Sequence, residues 1–273
     1  MKVSKQKINL AIGRGVIALL KKPRYKSIFF HMPKCGGTSI SNAMYATIPF
    51  YKRVAVIDAM STRIACGLDF RQIKDQMICH EDYDNGQVVF DFRKNLLEMH
   101  AAWDTYLVHG HLFYSENIEK YYKDEYKYVT IMRDPLSRMI SNYHFAKQMK
   151  ETQIKFEDYI DSDLAVKHAS VYLRYLTGKN NVNIIDRSEI ELAKKRLEKF
   201  DLIGMLDDLS KFESDYRKLF GVKLNIPKMN VGKNKSNEKL SPDVERKFME
   251  LCSADYEIFE YAKEINQSRL IGS

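Results

Sequence analysis

The sequence is poor in cysteine, and its cysteines form no recognisable site. The four are Cys35, Cys66, Cys79 and Cys252, with no CxxC pair and no Cys/His spacing that suits zinc. A structural metal or a dense disulfide framework is therefore not indicated, and a reducing compartment is expected. We predict that the protein needs no metal ion.

The sequence also lacks an apolar run long enough to cross a bilayer. The nearest candidate, residues 8–20, is short, carries Arg14 in its middle and leads into Lys21 and Lys22 without a cleavage-like site. Residues 1–26 are interpreted as a basic helix or extension, either packed on the protein or lying on an anionic membrane surface. The expected location is cytoplasmic, with or without membrane association. The oligomeric state is not readable from the sequence.

Composition and charge leave a globular enzyme or binding protein. Hydrophobic residues make up 45% and aromatic residues 12% of the chain, enough for a core, while 29% charged residues argue against a membrane bundle. The net charge of +8 indicates a negative ligand or partner, and charge alone does not distinguish nucleic acid, anionic lipid, nucleotide and acidic glycan. A basic surface that only aids solubility explains the same charge.

Short apolar runs separated by helical patterns predict an α/β fold. The alternation favours one domain, residues 27–273, in which helices flank a central parallel sheet. In such a sheet, ligands bind beyond the carboxyl ends of the strands. The predicted strands are residues 27–31, 88–92, 105–109, 127–132 and 201–205.

Several helices are predicted from their start and stop signals. The clearest begins with Asp134 as N-cap and Pro135 at the first helical position. Further amphipathic helices are expected at 188–200 and 210–221, and one long helix at 243–265.

The stretch IFFHMPKCGGTS, residues 28–39, combines a strand, a glycine turn and a helix start. It lacks the GxxxxGK[ST] spacing of an ordinary nucleotide-hydrolysing loop, but its layout suits an anion: glycines admit a close backbone approach, amides point from the helix start, and a lysine adds charge. A glycine turn with a surface lysine is the alternative. The candidate anion contacts are Lys34, Cys35, Gly36, Gly37, Thr38 and Ser39.

Two further groups of polar residues follow predicted strands. Arg133 comes directly after 127–132, and Ser141 lies two turns into the next helix, so the pair can hold a second phosphate. Alternatively, Arg133 only ties down the helix start. The sequence HGH, from His109 to His111, ends another strand, and a histidine there suits proton transfer to or from a hydroxyl. Metal ligation and core packing are the alternatives for these histidines.

In this order, FFHMPKCGGTS, HGH and VTIMRDPLSRMISNY resemble the carbohydrate sulfotransferases that use 3′-phosphoadenosine 5′-phosphosulfate as donor. The HGH sequence is similar to that of the heparan and uronyl 2-O-sulfotransferase subgroup and its bacterial relatives. With FDLIGMLDDLSKFESDYRKLFG and ADYEIFEYA, the resemblance covers about residues 27–263. It implies a P-loop-like sulfotransferase fold, no metal, and a carbohydrate or glycolipid acceptor rather than nucleic acid.

The resemblance also implies roles for single residues. Lys34 and the backbone of residues 35–39 would hold the 5′-phosphosulfate, and Arg133 and Ser141 the 3′-phosphate. His111 would be the catalytic base, with His109 in support. The loop around Asn230 and Lys233 would close over the nucleotide. Cys35 replaces the threonine more usual in the family.

Other classes of protein remain open at this stage. A nucleotide kinase with an unusual loop would require Mg²⁺, and a non-catalytic binder of acidic glycan or nucleic acid would be salt-sensitive. The third alternative is a sulfotransferase-like fold that has lost activity. The segment 61–84 matches no motif and is expected to line the acceptor cleft.

Overall fold

A computed structural model describes residues 22–71, 77–148, 152–227 and 241–268. Its four strands are β1 (Lys26–Phe30), β2 (Leu107–Gly110), β3 (Tyr126–Met132) and β4 (Leu202–Met205), in the order β2-β1-β3-β4, and every pair is parallel. The predicted fold class, a single α/β domain with a central parallel sheet, is confirmed.

Helices fill the connections between the strands and cover the sheet, as connections between parallel strands usually do. The helices before β3 are α1 (Gly37–Ala46), α2 (Ala59–Arg71), α3 (Gly86–Ala102) and α4 (Glu116–Tyr122). Between β3 and β4 lie α5 (Pro135–Gln148), α6 (Phe156–Tyr159), α7 (Asp163–Ala169), α8 (Val171–Thr177) and α9 (Arg187–Leu197). After β4 come α10 (Leu209–Phe220), α11 (Pro242–Leu251) and α12 (Ser253–Ser268).

The predicted strand at 88–92 is wrong, because these residues belong to α3. Val89, Phe90, Arg93, Leu97 and Ala101 are buried at spacings of three and four residues, as on one face of a helix. A short apolar run alone does not distinguish a buried strand from a buried helix segment.

The single long helix predicted at 243–265 is also wrong, since the chain breaks it at Cys252 into α11 and α12. Phe248 and Cys252 pack in a small cluster with Met139, whereas Ile258 packs in the main core. The break lets two apolar faces reach two different clusters.

Other expected features of the helices are confirmed. Asp134 accepts a hydrogen bond from the Ser137 amide (2.8 Å) in front of α5, and Pro135 is the first residue of that helix. Gly221 ends α10 in the left-handed conformation, with φ of 73°. The basic helix expected within 1–26 falls almost wholly outside the described residues, and β1 begins at Lys26. In the part of the chain that is described, no helix is long and apolar enough to cross a membrane.

A buried ion pair joins three helices behind the sheet edge. Arg138 of α5 donates to Asp255 of α12 at 2.7 Å, and both side chains are fully buried. Asp255 also accepts from the backbone amides of Tyr172 (2.9 Å) and Leu173 (3.0 Å) at the start of α8. These bonds fix α8 and α12 against α5, which starts at the end of β3.

We expect Asp255→Asn to destabilise the protein by about 3–5 kcal/mol, the usual result of leaving one partner of a buried ion pair uncompensated. Urea denaturation measures the loss. Asp243→Asn is the matched control, because Asp243 pairs with Arg246 at the surface, where its side chain is 89% exposed, and a change within about 1 kcal/mol is expected there. Equal losses in the two variants would contradict the structural role given to Asp255.

Candidate active site

The parallel register brings three loops to one edge of the sheet. Phe30 at the end of β1 pairs with Gly110 of β2 and Thr130 of β3. Directly beyond, the His31 amide donates to the Gly110 carbonyl at 3.0 Å. The loop after β1, His111 after β2 and Arg133 after β3 are therefore neighbours.

The glycine loop turns sharply into α1. Gly36, at the N-cap, has φ of 73°, and Lys34 has φ of 60°, so two nearby residues adopt the left-handed conformation. For a lysine this conformation is costly and is found mostly where function requires it. Gly36 has no side chain to cap α1, and the first turn contains no acidic residue. The Ser39 amide donates to the Gly36 carbonyl (3.2 Å), whereas the amides of Gly37 and Thr38 have no acceptor among the described residues and are available to an anion.

Two cations converge on this loop. Arg133 donates from Nη1 to the Lys34 carbonyl (3.2 Å), and the Lys34 ammonium lies 3.9 Å from the ring centroid of Phe145 on α5. Burial, with Arg133 as the next cause, lowers the pKa of Lys34. Adjacent positive groups that are partly removed from water favour a bound anion.

Ser141 lies on α5 one turn before Phe145, and residues four apart occupy the same helix face. Phe145 contacts Lys34, so Ser141, which is half-buried, lies on the helix face that carries this contact. The contact of Ser141 with a second phosphate stays a prediction.

Tyr172 on α8, which the sequence did not indicate, holds the end of β3. Its hydroxyl accepts from the Arg133 amide (2.8 Å), donates to the Arg133 carbonyl (2.5 Å), and lies 3.4 Å from the Cys35 sulfur. Cys35 is fully buried, and burial raises the pKa of its thiol. Cys35 is thus a packing residue beneath the loop, and its amide donates to the Met32 carbonyl at 3.4 Å.

His111 is held in one tautomer. Its Nδ1 lies 2.8 Å from the carbonyl oxygen of His31. Because a carbonyl only accepts, Nδ1 carries the proton of the neutral ring and Nε2 keeps its lone pair. Burial, followed by His31 and Arg93, lowers the pKa of His111 well below 6.5. A neutral ring whose Nε2 keeps its lone pair is able to accept a proton, as a general base must.

Two more histidine rings lie beside His111. The His31 ring stacks on it with centroids 4.3 Å apart, and the His80 ring lies 6.5 Å away in nearly parallel orientation. Burial lowers the pKa of His31 to about 4 and that of His80 well below 6.5. All three rings are therefore neutral near pH 7. The rings of His31 and His80 place no positive charge beside His111, the candidate base.

The structure does not bring His109 to His111. His109 is buried, its Nδ1 is hydrogen-bonded to the hydroxyl of Ser41 on α1, and its ring lies 5.6 Å from that of Tyr45. Burial and the nearby His100 lower its pKa to about 4. His109 thus packs β2 on α1, and any support it gives to catalysis would act through that packing.

The loop around Asn230 and Lys233, expected to close over the nucleotide, lies outside the described residues. Thr38 is exposed and Ser39 half-exposed at the start of α1. Among the described residues, no group of three or more His, Cys, Asp or Glu side chains is arranged to hold a metal ion.

Residues 61–84 form most of α2 and the loop before α3, apart from 72–76, which are not described. This loop places the His80 ring 6.5 Å from the His111 ring. Acceptor binding by the segment stays a prediction. The bonds that hold the loop are Arg174 to the His80 carbonyl (3.3 Å), Asn180 to the Asp82 carbonyl (2.8 Å) and His168 to Glu81 (3.0 Å).

Comparison with known proteins identifies the family. A model of the sulfotransferase family matches residues 18–262, which is most of the chain. The protein therefore belongs to the sulfotransferase family, whose reaction is sulfuryl transfer. No curated protein matched the sequence.

We expect Cys35 to resist alkylation in the folded protein, because its thiol is buried and its pKa raised. Iodoacetamide labelling read by mass spectrometry should modify half-buried Cys79 before Cys35 under native conditions, and both at similar rates in urea. Labelling of native Cys35 as fast as in urea would contradict this placement.

Proposed function

We propose that the protein transfers a sulfuryl group from 3′-phosphoadenosine 5′-phosphosulfate to a hydroxyl of a carbohydrate acceptor. One observation carries the proposal: the glycine loop that brings Lys34 to Arg133 lies next to His111, whose Nε2 has no hydrogen-bond partner among the described residues. Family membership supports sulfuryl transfer in general. The identity of the donor, the class of acceptor and the role of His111 as base go beyond family membership and are proposed here.

In this proposal the donor's two phosphate ends have separate sites. Lys34 and the amides from Cys35 to Ser39 would hold the 5′-phosphosulfate, and the Arg133 guanidinium and the Ser141 hydroxyl the 3′-phosphate. A nucleotide with a single phosphate chain would leave the second pair unused. Two contacts support placing these groups close together: Arg133 donates to the Lys34 carbonyl, and Lys34 contacts Phe145 on the helix face that carries Ser141.

The chemical step is an in-line displacement at sulfur. The acceptor oxygen attacks sulfur, its proton passes to Nε2 of His111, and the bond from sulfur to the 5′-phosphate oxygen breaks. The bond's electron pair leaves with 3′-phosphoadenosine 5′-phosphate, where Lys34 neutralises the developing charge. Positioning supplies most of the rate enhancement, as in phosphoryl transfer.

The acceptor would enter past His80 and the loop before α3. Nε2 of His111, the second histidine of HGH, suits deprotonation of a sugar hydroxyl. A glycan or glycolipid acceptor is proposed on this basis and on the resemblance of the motifs. The net charge of +8 favours an acidic glycan over a neutral one. Contact with an anionic membrane, as expected for a lipid-linked acceptor, stays part of this proposal.

We expect tight, metal-independent binding of 3′-phosphoadenosine 5′-phosphate in calorimetric titrations, and weaker binding of ATP with or without Mg²⁺. Arg133→Ala should weaken bisphosphate binding about ten- to hundredfold, since a hydrogen bond to a charged group contributes about 1.5–3 kcal/mol. Lys34→Ala should weaken it similarly. Arg187→Ala, at a surface arginine 65% exposed on α9, is the control and should bind normally. A preference for Mg-ATP would instead support the kinase alternative.

We expect His111→Ala to lower turnover by about 10²–10⁴-fold, the usual contribution of a general base, with bisphosphate affinity nearly unchanged. The comparison is between turnover with a sugar acceptor and calorimetric binding in the same variant. Full turnover in His111→Ala would remove the base assignment.

The pH profile should report His111. Because its pKa lies well below 6.5, the ring stays neutral when the pH is lowered from 8 to 6.5. Protonation of His111 should therefore lower kcat/KM only below pH 6.5. A loss centred at or above pH 6.5 that disappears in His111→Ala would contradict the lowered pKa.

A further inference from the structure

The ring of His31 fills the space between the candidate base and the glycine loop. On one side it stacks on His111, with centroids 4.3 Å apart and an interplanar angle of 27°. The edge of the same ring that carries Cδ2 and Nε2 lies against Gly37, the first residue of α1. A Cβ atom at Gly37 would lie 1.9 Å from Cδ2 and 2.1 Å from Nε2 of His31. The two sites are therefore joined by one imidazole ring.

The backbone of His31 connects the same two sites. Its amide donates to the Gly110 carbonyl (3.0 Å), and its carbonyl accepts from Nδ1 of His111 (2.8 Å). The Phe29 ring is nearly parallel to the His31 ring, with centroids 5.9 Å apart, and supports its orientation. Backbone and side chain thus act together: the carbonyl sets the tautomer of His111, and the ring sets its distance from the loop.

We propose that His31 is a positioning residue that spaces the base His111 from the phosphosulfate loop at Gly37. This role rests on the proposed function, because it assumes that the loop holds the donor and that His111 takes the acceptor proton. It also explains Gly37 physically: the glycine is required by the His31 ring, not only by a ligand. A displacement of about 1 Å between reacting groups can cost about 10²-fold in rate, so a rigid spacer has a large effect.

An aromatic, uncharged ring suits this position. Burial, then His109 and the Lys34 ammonium, lower the pKa of His31 to about 4, so the ring is neutral when the enzyme works. A cationic side chain here would repel both Lys34 and the proton that His111 receives. A smaller side chain would leave an empty space beside His111 into which its ring could shift.

A double-mutant cycle between His31 and Gly37 tests the spacing directly, with bisphosphate affinity as the readout. Gly37→Ala alone should weaken binding about tenfold or more, because the new methyl group and the His31 ring cannot share the space. A coupling of this size between the two positions is usual for residues in direct contact. In a His31→Ala background the same change should cost far less. Thr38→Ala is the matched control, because Thr38 is exposed on the same turn and its effect should add to that of His31→Ala.

Turnover with a sugar acceptor tests the effect on His111. We expect His31→Ala to lower kcat by about 10²-fold with a smaller change in KM, and His31→Phe, which keeps a flat ring, to recover most of the loss. A purely structural role would not divide the effect between kcat and KM in this way. Thermal unfolding of each variant checks that the fold is retained.

The outcomes separate the two proposals. If wild type binds the bisphosphate and Gly37→Ala costs the same with and without His31, the spacer role is wrong and the proposed function stands. If His31→Phe is as slow as His31→Ala, a ring spacer is likewise excluded. If wild type binds no bisphosphate, the proposed function fails and the role of His31 fails with it.

Discussion

The candidate site depends on the parallel pairing of β1 with both of its neighbours. Because β1 lies between β2 and β3 and all three run in one direction, their carboxyl ends meet at the same edge. The loop after β1 supplies the candidate anion-binding groups, and His111 and Arg133 follow the flanking strands. A shift of one residue in either register would move one of these groups to the other face of the sheet.

Burial and charge divide the site into two parts with different chemistry. Around the glycine loop, Lys34 and Arg133 bring positive charge to the start of α1, where the helix dipole adds to it. A few ångströms away, the stacked rings of His31 and His111 are kept neutral by burial and by nearby cations. Anion binding and proton acceptance can therefore coexist at adjacent strand ends, because Lys34 and Arg133 bring charge to the glycine loop while burial and Arg93 keep His111 unprotonated.

The wrong predictions have a common physical cause. The strand at 88–92 and the single helix at 243–265 were predicted from local periodicity. The actual secondary structure depends on which residues the apolar side chains contact in the folded protein. Val89 and Phe90 bury a helical face together with Leu97, and Cys252 breaks a helix so that Phe248 and Ile258 can reach separate clusters. Periodicity over four or five residues carries no information about such distant contacts.

The sequence by itself determined the fold class and the strand-end positions of Lys34, His111 and Arg133, because buried strands, glycine turns and helix caps are local signals. Only the tertiary structure decided what each side chain contacts. The two histidines of HGH are two residues apart in sequence, yet His109 packs on Ser41 while His111 stacks on His31. Tyr172 and Gly37 acquire their roles from residues distant in the chain or from a neighbouring ring. Such contacts depend on how the layers pack, which no local pattern encodes.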